Sequence, residues 1–307
     1  MERFLRLLLA ILLLLSLFVL VAITCCTRPS AATENYFLKE KDSYGREVTI
    51  QKEPKRIVSL SSAITEIVYL LHDESKLVGI SDFCTYPPET EKIPKVGKLL
   101  NINVESILKL HPDLVVISSL VSKKDVEKME RAGLTVFAIK DENHVKDLCH
   151  TINVLGVLLN KKDAAARLSD SYMREIEKYE AEQHEKGPSV YYVVGFGDGG
   201  DYTAPGSSFI NDIIHFAGGK NIAESLSTWN ISREYLFEQN PDLIFIREED
   251  CERFCRTAPY TQLKAVKEKR VYPINTGWID VLSPRNLDAV HFIRSKILAY
   301  EEQAGNR

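Results

Sequence analysis

The sequence predicts an α/β protein: two Rossmann-like lobes with parallel-sheet cores, joined by a long α-helix, with a ligand cleft between the lobes. Short β-branched runs alternate with apolar-periodic segments from Arg56 onward, the pattern of strands followed by covering helices. One stretch of that alternation occurs twice at a constant offset of 129 residues, which takes Glu105 to Glu234 and Pro112 to Pro241. Between the two copies lies a strongly helical region, Val145 to Lys186.

The elements follow in order. Residues 25–55 read as a polar tether leading into an edge strand around Glu47 to Gln51, with folding proper starting at Arg56. The N-terminal lobe, 56–144, opens with the strand Ile57 to Leu60, a turn over Ser61 to Thr65, and a helix through Ile67, Val68, Leu70 and Leu71. A strand at Leu77 to Ile80 follows, then a helix from Val104 to Leu110 that stops before His111-Pro112, because proline disfavours helix in the residue before it. Asp113 to Ser118 is a strand, Asp125 to Ala132 a helix and Thr135 to Ile139 a strand. Near-continuous apolar strands of this kind are buried on both faces in parallel sheets.

The linker, 145–187, breaks near Asn160, and Asp163 is placed to cap a second segment whose apolar positions include Ala166, Leu168, Tyr172, Ile176 and Tyr179. Gly187-Pro188 ends it. The C-terminal lobe, 188–307, has strands at Val190 to Val194, Asp242 to Arg247 and Arg270 to Pro273, and a helix at Ser208 to Ala217. In the repeated stretch Asn103 and Ser232 stand as N-caps, and Glu105 and Glu234 fall in the first turn, where the helix dipole favours an anion. On these grounds alone the two glutamates stabilise helix starts or serve a partner.

The N-terminus has the layout of a lipoprotein export signal. Arg3 and Arg6 precede an apolar run from Leu7 to Ile23, and Ala22-Ile23-Thr24 leads into Cys25. Residues 1–24 are read as the signal peptide and Cys25 as the lipidated residue, with Cys26 the other possible acceptor. An uncleaved anchor helix is the alternative; both readings tether the protein to a membrane, facing the periplasm or the cell exterior.

Composition narrows the function. With 39 basic and 43 acidic residues the net charge is −4, so no overall positive field draws in nucleic acid. The histidines show no HxH or HExxH spacing, and zinc needs further ligands near Cys251 and Cys255; those two cysteines are one helical turn apart and bridge only if the segment is a short loop. The glycine-rich GFGDGG at Gly195 to Gly200 is not a phosphate loop, and no GxSxG elbow occurs. Catalysis has no sequence support, and no resident cofactor or metal is expected.

Large rings instead occupy the loops after strand C-termini, where ligands sit in open α/β sheets. Phe83 and Tyr86 follow the second strand, Phe196 and Tyr202 follow Val190 to Val194, Trp229 precedes the second repeat, and Trp278 follows the last strand with Asp280 and Arg285 nearby. Singly each ring reads as satellite core. Together they point to a broad, largely apolar ligand with a few polar edges.

The segments RIVSLSSAITEIVYLL (56–71), LVGISDFCTYPPE (77–89), KVGKLLNINVESILKLHPDLVVIS (95–118), WNISREYLFEQNPDLIFI (229–246) and GWIDVLSPRN (277–286) resemble the cobalamin-binding proteins of ABC importers. That family belongs to the helix-linked class of periplasmic binding proteins, shared with ferric-siderophore and haem binders. The resemblance implies that Tyr86, Phe196, Trp229, Trp278 and Arg285, with Ser62 and Phe83 nearby, border a corrin carried as cargo rather than as a cofactor. Leu99 stands where the cobalamin binders show an aromatic residue. The resemblance also implies that Glu105 and Glu234 sit on the outward tips of the lobes and meet a dimeric permease. A ferric-siderophore or haem binder of the same class is the alternative, and an enzyme of tetrapyrrole chemistry a more distant one.

Overall fold

The computed structural model describes residues 36–98, 101–182 and 187–305. Leu99, the signal segment, Cys25 and Cys26 lie outside the described residues. The folded body runs from Phe37. Strands β1 (Leu38–Lys41) and β2 (Glu47–Ile50) form an antiparallel hairpin whose turn is organised by Asp42, 6% exposed, accepting from the backbone N–H groups of Tyr44 and Arg46 at 3.0 Å. Val48 and Ile50 enter the core, and the Tyr44 hydroxyl donates to the Ser119 carbonyl at 2.9 Å. The expected strand around Glu47 to Gln51 is β2, while the expected start of folding at Arg56 is corrected, since the hairpin packs from Phe37 onward. The alternation Val48, Ile50 supplies a buried face, and a carboxylate with several donors can be buried at the turn.

The N-terminal lobe comprises β3 (Ile57–Ser59), α1 (Ser62–Leu70), β4 (Leu77–Ile80), β5 (Gly97–Lys98), β6 (Asn101–Ile102), α2 (Val104–Lys109), β7 (Leu114–Ser118), α3 (Lys123–Arg131) and β8 (Val136–Ile139). Its main sheet is parallel, in the order β4-β3-β7-β8. All five residues of β7 are buried, as expected for a strand covered on both faces.

Two helices link the lobes, α4 (Leu148–Leu158) and α5 (Lys162–Ala181), separated by Asn160 at φ 59°. They pack closely: a Cβ on Gly156 would stand 2.4 Å from that of Ala165, so only glycine fits. The buried stripe of α5 is Ala165, Ser169, Tyr172, Ile176 and Tyr179; Ala166 is exposed. Lys161 occupies the N-cap position and Asp163 lies in the first turn without a capping bond, two positions from the expected cap. Its 20 residues span about 30 Å at 1.5 Å per residue.

The C-terminal lobe comprises β9 (Ser189–Val193), β10 (Asp201–Tyr202), α6 (Phe209–Phe216), β11 (Lys220–Asn221), β12 (Asn230–Ile231), α7 (Arg233–Gln239), β13 (Leu243–Arg247), α8 (Glu248–Arg256), α9 (Lys264–Lys267), β14 (Val271–Ile274), α10 (Thr276–Ile279) and α11 (Asn286–Gly305). Its main sheet is also parallel, in the order β11-β9-β13-β14. Cys251 and Cys255 are on α8 rather than in a short loop, and both thiols are free. The final helix α11, which the sequence pattern did not single out, buries Ala289, Val290, Ile293 and Ile297 in the core that also holds α6.

The sequence repeat is a structural repeat. β6-α2-β7 and β12-α7-β13 start at matching positions, 129 residues apart from Asn101 to Asn230, Val104 to Arg233 and Leu114 to Leu243. Asn103 accepts from the Ser106 N–H at 3.0 Å and Ser232 from the Tyr235 N–H at 3.1 Å, so both are N-caps, a bond usually worth about 1 kcal/mol. His111 and Asn240, also matched, both take left-handed backbone, at φ 45° and 41°, and turn the chain from helix into strand.

Candidate ligand-binding site

A cavity of about 330 Å³ lies where the strand C-termini of the first lobe meet the second lobe. Leu60 to Ile64, Ser118, Leu120 and Ile139 to Glu142 line it from the first lobe; Phe209 and Asp280 to Leu282 line it from the second. Its position follows from the topology, since the loops leaving parallel strands converge at one edge.

Ser62, Phe83 and Asp280 are among the lining residues. The Ser62 hydroxyl donates to the Phe83 carbonyl at 2.8 Å, and Lys95 Nζ donates to the Cys84 carbonyl at 2.6 Å. These bonds hold the loop after β4, while the Phe83 ring remains 59% exposed. Asp280 accepts from the Tyr192 hydroxyl at 2.5 Å and pairs with Arg247 at 2.9 Å. Burial, reinforced by the Asp280 carboxylate, pushes the Tyr192 phenol far above its ordinary pKa, so it remains a donor.

Arg285 bridges the lobes. Its Nε and Nη2 donate to the two carboxylate oxygens of Glu66 on α1, at 2.9 and 2.5 Å, in a two-pronged pair whose side chains are 15% and 4% exposed. The guanidinium lies over the Tyr86 ring, its Cζ 3.8 Å from the centroid. Tyr86 is 44% exposed. Sequence reasoning missed Glu66, although the signal was there: a carboxylate inside the apolar run Ile64, Ile67, Val68 sits on a buried helix face and needs a cation. It also missed Lys140, which pairs with Glu142 at 2.8 Å, and Asp141, which accepts from the Leu120 N–H and the Ser119 hydroxyl, each at 3.0 Å.

The other candidate rings fall into separate settings. Tyr202 pairs with Asn230 in the β10·β12 ladder, and the adjacent Trp229 carbonyl accepts from the Thr203 N–H at 2.8 Å; both rings remain exposed. Trp278 is half-buried against the core, its ring 6.2 Å from that of Phe292. Phe196 is not among the exposed rings. It stands edge-on to Phe254 and Tyr260 at 5.0 and 5.5 Å, with the Arg253 guanidinium 4.0 Å from its centroid, so the core of the second lobe takes up its surface. Glu105 and Glu234 are exposed in the first turns of α2 and α7.

Phe83, Tyr86, Leu120, Tyr202 and Trp229 are thus five of the nine exposed large hydrophobic side chains among the described residues, and all five are in loops or short ladders that follow strands. Of these Phe83 and Leu120 line the cavity, whereas Tyr86, Tyr202 and Trp229, like Phe196, Trp278 and Arg285, are not among its lining residues.

Comparison with known proteins agrees with this geometry. The periplasmic binding protein family model matches residues 57–276. An uncharacterized ABC transporter substrate-binding lipoprotein, YvrC of Bacillus subtilis, is 30% identical over 274 residues, covering 86% of this chain and 87% of the relative. A cobalamin-binding protein of Halobacterium salinarum is 29% identical over 263 residues, covering 80% of this chain and 70% of that protein. Among solved structures, the apo periplasmic heme-binding protein RhuT from Roseiflexus sp. RS-1 superposes with a TM-score of 0.72 at 23% identity, covering 80% of this chain and 98% of that one, a likeness of fold.

Proposed function

This chain belongs to the periplasmic binding protein family, and we propose that it is the substrate-binding protein of an ABC importer whose cargo is cobalamin or a related corrinoid. The observation that supports the cargo is the cavity at the strand C-termini, whose wall is mostly apolar, with Phe83, Leu120 and Phe209, and carries Ser62 and Asp280 as polar groups. A corrin presents broad apolar faces and an amide rim. The faces gain roughly 25 cal/mol per Å² buried against rings such as Phe83, Tyr86 and Trp229, and the rim finds donors and acceptors at Asp280 and Arg285.

Delivery follows from the ends of the lobes. Glu105 and Glu234, related by the structural repeat, each offer an exposed carboxylate to a cation of a two-fold permease. Cys25 carries the lipid that holds the protein at the outer face of the membrane. Among the described residues no helix is long and apolar enough to cross a membrane.

A haem or ferric-siderophore cargo is the second reading, favoured by the exposed Tyr86 phenol, a hard oxygen suited to ferric iron. Titration of the full chain with cyanocobalamin, haem and a ferric siderophore, followed by calorimetry and visible absorbance, separates the two. Tight one-to-one binding of cyanocobalamin is expected; binding of haem or the siderophore with silence toward cobalamin would replace the cargo and keep the importer subunit.

A further inference from the structure

The chain leaving β8 lines the cavity up to Glu142 and lines it again at Leu148 and Thr151, with Val145 between. On the opposite wall Phe209 begins α6, and Asp212 follows one turn later on the same helix. Asp212 reaches across. Its Oδ2 accepts from the Val145 backbone N–H at 2.9 Å and lies 3.1 Å from His144 Nδ1. One carboxylate oxygen thus ties the helix that carries Phe209 to the backbone between Glu142 and Leu148.

The two bonds differ in what controls them. The backbone N–H donates at any pH. A protonated imidazole donates from both ring nitrogens and adds charge to the bond, whereas a neutral ring has a tautomer that turns a lone pair toward the carboxylate. Histidine changes between these forms in the range of pH 5 to 8. The His144 side chain is 52% exposed and exchanges protons with solvent directly; that of Asp212 is 19% exposed. Among the described residues the other ion pair across the lobes, Glu66 with Arg285, holds no imidazole.

The neighbours of Asp212 are accounted for. Burial pushes up the Tyr172 phenol on α5 and the Cys149 thiol on α4, so both stay protonated at neutral pH. Lys146 is paired with Glu180 at 2.7 Å, and α11 brings apolar Val290 and Ile293 to the core it shares with α6. His215, one turn further along α6, acts on Asp212 through charge alone. Burial raises the Asp212 carboxyl against the pull of Val145, His144 and His215, so the pair weakens again in acid, when the carboxyl takes up a proton.

We propose that His144 and Asp212 form a proton-controlled clasp across the cavity: near pH 6 it holds the two walls together and slows release of the cargo, and near pH 8 it loosens. This rests on the reading of the cavity as the cargo site. Neither residue lines the cavity; both act through the walls they join and are positioning residues.

The test follows release of cyanocobalamin by stopped-flow absorbance at pH 6 and pH 8 from the full chain, His144→Gln and Asp212→Asn, together with urea unfolding of the same three proteins without ligand. Wild-type release is expected to be about threefold slower at pH 6 than at pH 8, and each variant should remove that difference. Without ligand, the loss of unfolding midpoint in His144→Gln should be larger at pH 6 than at pH 8. A merely structural role would speed release and lower the midpoint equally at both pH values. Equal wild-type release at the two pH values, or a difference that survives in His144→Gln, overturns the inference; should Asp212→Asn fail to fold, the exposed His144→Gln decides. A wild type that does not bind cyanocobalamin overturns the cargo reading instead, and the urea comparison then decides the clasp: equal losses at pH 6 and pH 8 overturn it.

Discussion

Asp113 and Asp242, 129 positions apart, make the same contact in the two lobes. Asp113 accepts from the backbone N–H groups of Lys55 and Arg56 at 2.7 and 2.9 Å, just before β3; Asp242 accepts from the N–H and hydroxyl of Ser189 at 2.8 and 2.6 Å, at the start of β9. Each aspartate also donates its own N–H back, to the carbonyl of Arg56 or Ser189. The carboxylate that follows His-Pro or Asn-Pro thus ties the first strand of its lobe to the strand beside it. Asp242 has further partners in Lys264 Nζ and the Tyr300 hydroxyl, each at 2.9 Å.

This contact predicts acid sensitivity in the second lobe. Burial alone would push the Asp242 carboxyl up, but the donors from Ser189, Lys264 and Tyr300 outweigh it and hold the pKa at about 2, below the usual 3.8. A depressed carboxyl contributes stability that is present above about pH 4 and lost as the pH falls toward about 2. The side chain is 19% exposed, so after allowance for screening the contribution is of order 1–2 kcal/mol. Asp242→Asn should lower stability to urea at pH 7 by that order and flatten the acid limb between pH 4 and 2; an unchanged limb would refute the assignment.

Trp229 and Phe196 should separate binding from folding. Trp229→Ala removes a ring that is 44% exposed and is expected to weaken cobalamin binding at least tenfold with little effect on the melting temperature. Phe196→Ala opens a hole beside Phe254 and Tyr260 and is expected to cost about 3–5 kcal/mol of stability. Calorimetric titration and thermal denaturation of both variants check the contrast.

Charge reversal at Glu105 and Glu234, both exposed in helix first turns, should uncouple delivery from capture. Glu105→Arg with Glu234→Arg is expected to abolish uptake of radiolabelled cobalamin in cells while the purified variant binds as before. Both carboxylates are exposed, so the folded state changes little. Transport at the wild-type rate would remove the docking role and leave the glutamates as helix-start residues.

The α8 thiols should be poor nucleophiles at neutral pH. Burial, with the neighbouring Cys255, pushes the Cys251 thiol up to about 11, and burial also raises Cys255. Iodoacetamide labelling, mapped by mass spectrometry, should be slow at both positions at pH 7 and accelerate steeply above pH 9; rapid modification at pH 7 would contradict this environment.

The sequence by itself determined the two α/β lobes, most of their main strands in chain order, the internal repeat with its N-caps, and the loops that carry the rings, because each is written in local periodicity or in residues a few positions apart; the order of the strands in each sheet came from the structure. Asn103 and Ser232 could be read as caps for that reason; the stretch Ser61 to Thr65, read as a turn, is instead the N-cap and first residues of α1, which starts at Ser62. Only the tertiary structure decided which groups meet across the chain. It turned residues 37–50 into a packed hairpin, drew Phe196 into the second lobe's core, and joined Glu66 to Arg285 over 219 positions. Packing and ion pairing act through distance in space, which no local pattern records; a buried carboxylate in an apolar helix announces that it needs a cation, and the fold alone supplies which one.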